Sequence, residues 1–570
     1  MPRLPDAHGA WPEPAGRSVP ATALFLLLAA GWCVLGLAIL VPDAVYSGDI
    51  GVKFVQARAL AAARFESLDI PYPGAFLDSA RTLFPMRPPF VMTTGGETQA
   101  IFSPASAALQ AAAVAVAGMR GMILVSLAAG IVVLLAAWAQ AERRQEAAVL
   151  FAVGLASPVW FYAVSGWEHA PAIALSTLAF ACVLRGSAGW ALFLAGLCLG
   201  AGATLRDEVL LLAPGLLLAG WMRTRALSAV GLIVVGLLVP LGCAAGFEVL
   251  WFKRPLAAHL RHAVHLLQTA LHVTDAPNPD VPVLRPLSLR ERYETVVQYW
   301  LMGYGQDFWI GTYVSGLAAA LAFRWWRGSS AGLLVWLAGV IVLAAIDLHE
   351  LVTAPKWLAG LHRVSPYLVA ALFPLPRGSE RGGWYVPVVL ITTGAYLALA
   401  FVGADTSGGK ALGPRLLLPV LPLLAVAAVS TIWRYRSAAS TTDRWVGYAG
   451  LVLIAMSASM HLLGTIPAYV ERNRGDAEAV VAVARSPERI VVADDPFTAQ
   501  LLFPLYYRKI VFLADTPELG QQLGEMLKAQ RIAGAVVVSR QEQPSIALSP
   551  LVPDRLEQRG RMALQYWRLK

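Results

Sequence analysis

The stretch that decides the fold is ATALFLLLAAGWCVLGLAILVPDAVYSGDIGVKF, residues 21–54. Residues 21–42 carry no charge, and about 20 apolar residues are enough for a helix to cross the hydrocarbon core of a membrane. One carboxylate, Asp49, then follows between Gly48 and Gly51. The stretch therefore predicts a membrane span whose exit is followed at once by an acid.

Uncharged windows of the same kind recur along the 570-residue chain, for example at 121–140 and 227–247. The chain is 57% hydrophobic and 14% charged, whereas soluble domains average about 25% charged residues. These values predict a mainly α-helical, polytopic membrane bundle of about thirteen spans. We place the spans at about 21–42, 119–139, 147–164, 170–185, 189–204, 208–222, 227–251, 309–324, 331–348, 361–375, 384–402, 412–433 and 445–467.

The positive-inside rule orients this bundle. Six short connections between the predicted spans carry arginine, and all six are cytoplasmic if the N-terminal tail, residues 1–20, is cytoplasmic. The long connections 43–118 and 252–308 then face outward, as does the tail 468–570 that follows the transmembrane domain at 21–467. We therefore expect a multi-pass protein of a bacterial inner (plasma) membrane with its C-terminal domain on the periplasmic, extracytoplasmic side.

The tail 468–570 differs in composition from the bundle. Short β-branched runs, such as PERIVVAD and KIVFLAD, alternate with helix-like stretches. This alternation is typical of a small α/β domain with a parallel sheet. No glycine-rich phosphate fingerprint follows the predicted strands, so we assign no nucleotide to the domain.

Two apolar segments of the outer connection 43–118 are ambiguous. Residues 53–66 are apolar on one helical face, with Lys53 and two arginines elsewhere, which predicts a helix lying in the membrane interface. Residues 101–118 are predicted to be an interfacial or re-entrant helix. The alternative, a further span there, would reverse the side of every later connection.

Composition argues against several functions. The net charge is +9, but no cluster of five or more Lys or Arg occurs, so the charge indicates cytoplasmic loops and not nucleic-acid binding. The four cysteines lie in apolar runs without metal-type spacing. His259, His262 and His265 have a spacing that puts them near one helical face, but no acid completes a zinc set.

Ionisable residues at span boundaries are costly unless they are paired or face water, so they mark candidate sites. Four groups fall on the predicted outer face: Asp49; Glu168 with His169; Arg206, Asp207 and Glu208; Lys410 with Arg415. Converging cations suit a phosphate leaving group, and a carboxylate suits a general base for an acceptor hydroxyl. A polyprenyl-phosphate sugar has its tail in lipid and its phosphate at this interface. Further candidates for phosphate binding flank another outer segment: His349, Lys356, His362 and Arg363.

Each group also has a structural alternative. Asp49 would serve equally as the N-cap of the helix that follows it. Glu168 and His169 would also fit a solvated turn. Arg206 and Glu208 would also fit a structural ion pair, and Lys410 would also fit a solvated loop.

Four motifs together resemble the GT-C superfamily of integral membrane glycosyltransferases. The acid after the first span, together with GVKFVQARAL (51–60), is similar to the first outer loop of these enzymes. Two further stretches are similar to later segments of the same enzymes: IFSPASAAL (101–109) and LRDEVLLLAPGLLL (205–218). GPRLLLPVLPLLA (413–425) resembles a segment of bacterial relatives of protein O-mannosyltransferases and aminoarabinose transferases. The predicted layout of spans and outer domain is also similar.

The resemblance implies a transferase that moves a sugar, with inversion, from a polyprenyl-phosphate donor to a lipid, glycan or protein acceptor of the cell envelope. It implies that Asp49 is the catalytic base and that Glu168 is a second acid near the same cavity. It also implies that Arg206, Lys410 and Arg415 are candidates for binding the donor phosphate. We add five further substrate-binding candidates from their positions in the sequence: Lys53, His169, Glu208, Lys356 and Arg363.

The sequence departs from part of the superfamily. Asp49 stands alone, without the paired acids that oligosaccharyltransferases use with a divalent metal, and their Trp-Trp-Asp-type motif is absent from the outer domain. We therefore expect no cofactor and do not favour a metal. Two other classes remain alternatives: a lipid or glycan transporter, and a membrane scaffold without catalysis. Convergence of Asp49, Glu168 and Arg206 on one cavity is what distinguishes the enzyme from these.

Overall fold

The computed structural model describes residues 18–569, except 89, 95–96, 187, 253–286, 304–306, 354–359, 377–384 and 404–411. The described chain is a bundle of apolar helices joined to a five-stranded sheet near the C-terminus. This architecture confirms the predicted fold class.

The bundle and its connections contain eighteen described α-helices. In chain order they are α1 (Val19–Val34), α2 (Gly48–Ala62), α3 (Pro104–Ala117), α4 (Met119–Gln140), α5 (Glu146–Gly154), α6 (Val159–Val164), α7 (His169–Arg185), α8 (Gly189–Leu205), α9 (Ala213–Thr224), α10 (Leu227–Leu250), α11 (Leu289–Tyr293), α12 (Asp307–Arg327), α13 (Ala331–Thr353), α14 (Leu361–Val364), α15 (Tyr385–Gly403), α16 (Leu421–Arg436), α17 (Thr441–Ser459) and α18 (Ile466–Arg485). A two-stranded hairpin, β1 (Val91–Thr94) with β2 (Glu97–Ala100), lies between α2 and α3.

Seven helical segments in the described ranges are long and apolar enough to cross a membrane, so the chain is a multi-pass membrane protein. They are Val19–Ile39, Met119–Gln140, Leu227–Leu250, Ala331–Thr353, Tyr385–Val402, Arg415–Arg436 and Thr441–Arg485. Shorter apolar helices are α3, α7 and α8. The count of about thirteen spans stays a prediction.

Several predicted spans are broken helices. The segment 147–164 divides into α5 and α6 ahead of Pro158, and 208–222 begins as the 3-10 helix Asp207–Leu212 before α9. The segment 361–375 consists of α14 and the 3-10 helix Pro366–Leu372. Proline lacks a backbone N–H and disfavours helix in the residue before it, which explains the breaks at Pro158 and Pro366.

The helix predicted at 53–66 begins earlier, as α2, and it does not lie on the surface. Ten of its residues are buried, including Lys53 and Gln56. The side chain of Gln56 donates to the carbonyl of Leu68 and accepts from the N–H of Ala100, and these two bonds tie α2 to the connection that follows it. Periodicity alone placed Lys53 on a polar face, and that expectation is wrong because α2 is enclosed by later parts of the chain.

The C-terminal sheet has the strand order β4-β3-β5-β7-β6. Its elements are β3 (Ile490–Ala493), α19 (Pro496–Leu501), β4 (Ile510–Leu513), α20 (Pro517–Ala529), β5 (Gly534–Ser539), β6 (Val552–Arg559) and β7 (Met562–Arg568). Strands β4, β3 and β5 are parallel, with Ile490 opposite both Ile510 and Ala535. The hairpin β6–β7 adds two antiparallel strands, so the sheet is mixed and the prediction of a parallel sheet is wrong for this part.

One long helical segment connects the bundle to the sheet. Helix α17 continues through the π-helical turn Met460–Thr465 into α18, so helical backbone runs from Thr441 to Arg485. Near its C-terminal third, Asn473 accepts a hydrogen bond from the N–H of Val41 (2.8 Å) and donates to the carbonyls of Val41 (3.1 Å) and Ala44 (3.0 Å). This buried amide therefore fixes the exit of the first span against the last helix of the bundle.

We expect Asn473→Ala to lower the melting temperature of the detergent-solubilised protein. Alanine leaves the N–H of Val41 and two carbonyls without these partners, and each unsatisfied buried group costs about 1–3 kcal/mol. The exposed neighbour Arg474 provides the control, since Arg474→Ala removes a long side chain from the same helix without touching residues 41–44. Equal melting temperatures for the two variants would contradict the anchoring role of Asn473.

Candidate active site

Asp49 lies in the first turn of α2. The helix begins at Gly48 and its N-cap residue is Ser47, so the alternative that Asp49 is the N-cap is wrong. The Asp49 carboxylate instead accepts a hydrogen bond from Nη1 of Arg415 at 2.5 Å. The two side chains are 14% and 19% exposed, respectively, so this pair is accessible at its edge.

Glu168 is the buried centre of the site. It precedes the first residue of α7, and its Oε1 accepts hydrogen bonds from Nζ of Lys53 (2.7 Å) and Nη1 of Arg206 (2.6 Å). The side chains of Glu168 and Lys53 are 3% and 2% exposed, and His169 is buried as well, so the solvated-turn alternative is wrong. Burial raises the pKa of Glu168, but the charges of Lys53 and Arg206 outweigh it and hold that pKa well below its usual 4.5.

Arg206 connects Glu168 to a second carboxylate. It has extended backbone between α8 and the 3-10 helix that follows, and its Nε forms an ion pair with Glu208. The ion pair between Arg206 and Glu208 that we gave as the structural alternative is therefore present. The same guanidinium also binds Glu168, so Arg206 belongs to the site as well.

The indole of Trp167 lies between the two ion-paired groups. Its ring centroid is 5.0 Å from Nζ of Lys53 and 5.5 Å from Cζ of Arg415, distances at which a cation is attracted to an aromatic face. Phe102 contributes a second ring, 4.1 Å from Nζ of Lys53. Neither aromatic residue was a predicted site residue, although Trp167 adjoins Glu168 in SGWEHAP and Phe102 lies in IFSPASAAL.

Several polar atoms of this cluster are buried without a hydrogen-bond partner among the described residues. They are Oε2 of Glu168, both ring nitrogens of His169, Nε1 of Trp167 and Nε of Arg415. The nearest ionic neighbour of His169 is Glu168, 3.6 Å from its Nδ1. Buried polar groups normally have partners, so these donors and acceptors are the groups that a polar ligand would satisfy.

The remaining candidates do not join the cluster. Arg363 forms an ion pair with Asp347 of α13, and the adjacent His362 contacts the hydroxyl of Tyr313. Lys356 and Lys410 lie outside the described residues, as do the three histidines at 259, 262 and 265. No group of three or more His, Cys, Asp or Glu in the described part of the chain is arranged to hold a metal ion, and metal independence stays a prediction.

The geometry therefore brings six of the ten predicted site residues together. They are Asp49, Lys53, Glu168, Arg206, Glu208 and Arg415, and His169 lies against them. Three cations and three carboxylates make up these ion pairs, and the ring of Trp167 contacts two of the cations, Lys53 and Arg415. Such a site has donors for an anionic group, and the partly exposed carboxylates of Asp49 and Glu208 are chemically able to accept a proton.

Comparisons with known proteins give structural matches only, since no protein-family model and no curated protein matches the chain. ArnT from Cupriavidus metallidurans matches as its crystal structure bound to undecaprenyl phosphate, with a TM-score of 0.48 and 13% identity over 96% of this chain and 98% of that chain. Its apo state matches with a TM-score of 0.46 and 14% identity over the same shares. The apo oligosaccharyltransferase of Archaeoglobus fulgidus has a TM-score of 0.43 and 10% identity, over 90% of this chain and 69% of that one.

We expect Glu168→Gln to lower the melting temperature at pH 7, because it leaves the buried ammonium of Lys53 without its counter-ion. Breaking a buried ion pair in this way costs about 3–5 kcal/mol. The low pKa of Glu168 in the folded state means that its stabilising effect is fully present above about pH 4.5 and is lost as the pH falls through that folded pKa.

The measurement is the difference in melting temperature between wild type and Glu168→Gln from pH 7 to pH 3. The difference should be constant above pH 4.5 and shrink below it. Glu471→Gln, at an exposed position of α18, should match wild type throughout. A pH-independent difference for Glu168→Gln would contradict the assigned charge state.

Proposed function

We propose that the chain is a membrane glycosyltransferase that moves a sugar from a polyprenyl phosphate to an acceptor hydroxyl. The observation that carries the proposal is the convergence of Asp49 with Arg415, and of Glu168 with Lys53 and Arg206, around Trp167. Residues from four distant parts of the sequence meet there. This arrangement supplies both a contact for a phosphate and an acceptor for a hydroxyl proton, the two groups that sugar transfer requires.

Arg415 is the proposed contact for the donor phosphate. Its Nε is buried and unpartnered in the described structure, and its Nη1 is held only at the accessible edge of the site by Asp49. Guanidinium groups bind phosphate through two parallel hydrogen bonds, which suits a phosphate that must be stabilised as it leaves. Arg206 adds positive charge, although Glu168 and Glu208 already engage it.

Asp49 is the proposed general base. In the described state Arg415 neutralises its carboxylate, and a donor phosphate that binds Arg415 would compete with that carboxylate for the same N–H. Binding of the donor thereby releases Asp49 to accept the proton of the acceptor hydroxyl. The acceptor oxygen attacks the anomeric carbon as the carbon–phosphate oxygen bond breaks, polyprenyl phosphate leaves, and the anomeric configuration inverts.

Glu168 is better suited to hold the cations than to take a proton. It is buried between Lys53 and Arg206, and its pKa is held low, so it is a weak base at neutral pH. Its role in the proposal is to position Lys53 and Arg206. Neither role requires a metal, because arginine supplies the charge that would stabilise the phosphate.

We further propose that the site opens to the outer face of a bacterial plasma membrane. The arginine-bearing short connections put the N-terminus in the cytoplasm and the sheet domain outside. On that face a polyprenyl-phosphate sugar reaches Arg415 from the lipid, and acceptors of the cell envelope reach Asp49 from the aqueous side.

We expect Asp49→Asn to abolish sugar transfer, because asparagine keeps the shape of the side chain but accepts no proton. The measurement is mass-spectrometric profiling of envelope glycans in a deletion strain that carries each variant. Asp43→Asn, at an exposed position of the same connection, should restore the wild-type profile. A full wild-type profile with Asp49→Asn would remove Asp49 as the base.

We expect Arg415→Ala to weaken binding of undecaprenyl phosphate by at least about tenfold, since a charge-assisted hydrogen bond contributes about 1.5–3 kcal/mol. The measurement is the rise in melting temperature of purified protein as undecaprenyl phosphate is added. Arg434→Ala, on the same helical segment but paired near Glu142 instead of Asp49, is the matched control. An unchanged titration for Arg415→Ala would exclude it from the phosphate site.

A further inference from the structure

We propose that the C-terminal sheet domain positions the catalytic carboxylate, through a fixed contact of Gln500 and Phe503 with the first turn of α2. This inference rests on the proposed function, since it assigns a task to the element that carries Asp49. Gln500 and Phe503 would act through α2 and touch no substrate, so they are positioning residues.

The two glycines that flank Asp49 are the first evidence. A Cβ atom on Gly48 would lie 1.5 Å from Oε1 and 2.0 Å from Cδ of Gln500. A Cβ atom on Gly51 would lie 2.6 Å from the backbone oxygen of Gln500 and 3.1 Å from Cβ of Phe503. The sheet domain therefore approaches α2 so closely that a side chain at residue 51 would clash with its backbone, and one at residue 48 would displace the side chain of Gln500.

The contact is rigid on the domain side. Gln500 is in α19 and is 5% exposed, and Phe503 is fully buried in the 3-10 turn Phe503–Leu505 that follows. Asp495 caps α19, with its carboxylate accepting hydrogen bonds from the N–H groups of Phe497 and Thr498. The surface that meets α2 is thus part of the folded core of the sheet domain.

Further bonds fix the same domain to the segment around α2. The hydroxyl of Tyr507 donates to the carbonyl of Val55, within α2, and that of Tyr506 donates to the carbonyl of Pro71. An ion pair joins Arg87 to Asp515 (2.8 Å) on the far side. Because of these bonds, α2 cannot tilt independently of the sheet domain. A substitution that moves α2 relative to α19 therefore also moves Asp49.

Small displacements matter at this position. Misplacing a catalytic group by about 1 Å can lower the rate about a hundredfold. Asp49 has its ion-pair partner Arg415 on the bundle, whereas the helix that carries it rests on the sheet domain. The distance between base and phosphate-binding guanidinium is therefore set across the junction of the two parts of the chain.

The first experiment replaces each glycine by alanine. We expect Gly51→Ala to lower the rate of sugar transfer at least about tenfold, because the clash is with backbone, while the melting-temperature titration with undecaprenyl phosphate shifts less than twofold. Gly31→Ala is the control, since a Cβ atom there meets nothing within 4 Å. Transfer by Gly51→Ala at the rate of Gly31→Ala would overturn the proposal.

The second experiment tests the identity of the contact by rescue. Gly48→Ala should also slow transfer, but here the clash is with the end of the Gln500 side chain. The double variant Gly48→Ala/Gln500→Ala removes the clashing atoms and should transfer faster than Gly48→Ala alone. If the double variant is as slow as, or slower than, Gly48→Ala, the contact is not what positions α2.

A third measurement is independent of activity. A Gly48→Cys/Gln500→Cys pair should form a disulfide under mild oxidation in a background without the four native cysteines, because a Cβ atom on Gly48 would lie only 2.7 Å from Cγ of Gln500. Absence of the cross-link would overturn the contact itself. If the pair variant cross-links but the wild-type chain transfers no sugar, the contact stands and the proposed function is overturned, so the two failures are told apart.

Discussion

The structure depends on the burial of one carboxylate between two cations. Glu168, Lys53 and Arg206 come from the start of α7, the middle of α2 and the end of α8, and their ion pairs hold these elements together. Removing charges from water costs several kcal/mol per ion, which is recovered only with good geometry and complete pairing. Lys53 and Glu168 are both buried and paired with each other, so α2 cannot leave its place without leaving a buried ammonium unpaired. Arg206 adds a second cation to Glu168 and is itself also paired with Glu208.

Glu168 and Asp49 differ in burial and in the number of their cationic partners, and this difference suits them to different roles. Glu168 has two cationic partners and almost no exposure, whereas Asp49 has one partner and an open edge. A carboxylate that is fully neutralised and enclosed is suited to hold other groups in place. A carboxylate with one exchangeable partner is suited to change its state when an anion arrives, because the anion competes for that partner.

Much of the fold and of the candidate site could be predicted from the sequence. The features that could not be predicted depend on contacts between residues that are distant in the sequence. Charge-free windows predicted the helical bundle, and the distribution of arginines placed Asp49, Glu168, Arg206 and Arg415 on one face. The pairing of Asp49 with Arg415 spans 366 residues and has no local signal. The burial of Lys53 was missed for the same reason, since the cover over α2 comes from outside its own segment.

The spacing of residues in the first turn of α2 explains how one short helix serves both parts of the chain. Gly48 and Gly51 are three residues apart, so they share one face of the helix, and that face meets Gln500 of the sheet domain. Asp49 and Lys53 are four residues apart and share another face, which meets Arg415 and Glu168 of the bundle. Successive residues of a helix are turned by about 100°, so the acid next to a packed glycine necessarily points away from the packing surface. The face with the two glycines therefore packs against the sheet domain and fixes the position of the helix, while the face with Asp49 and Lys53 points toward the proposed active site.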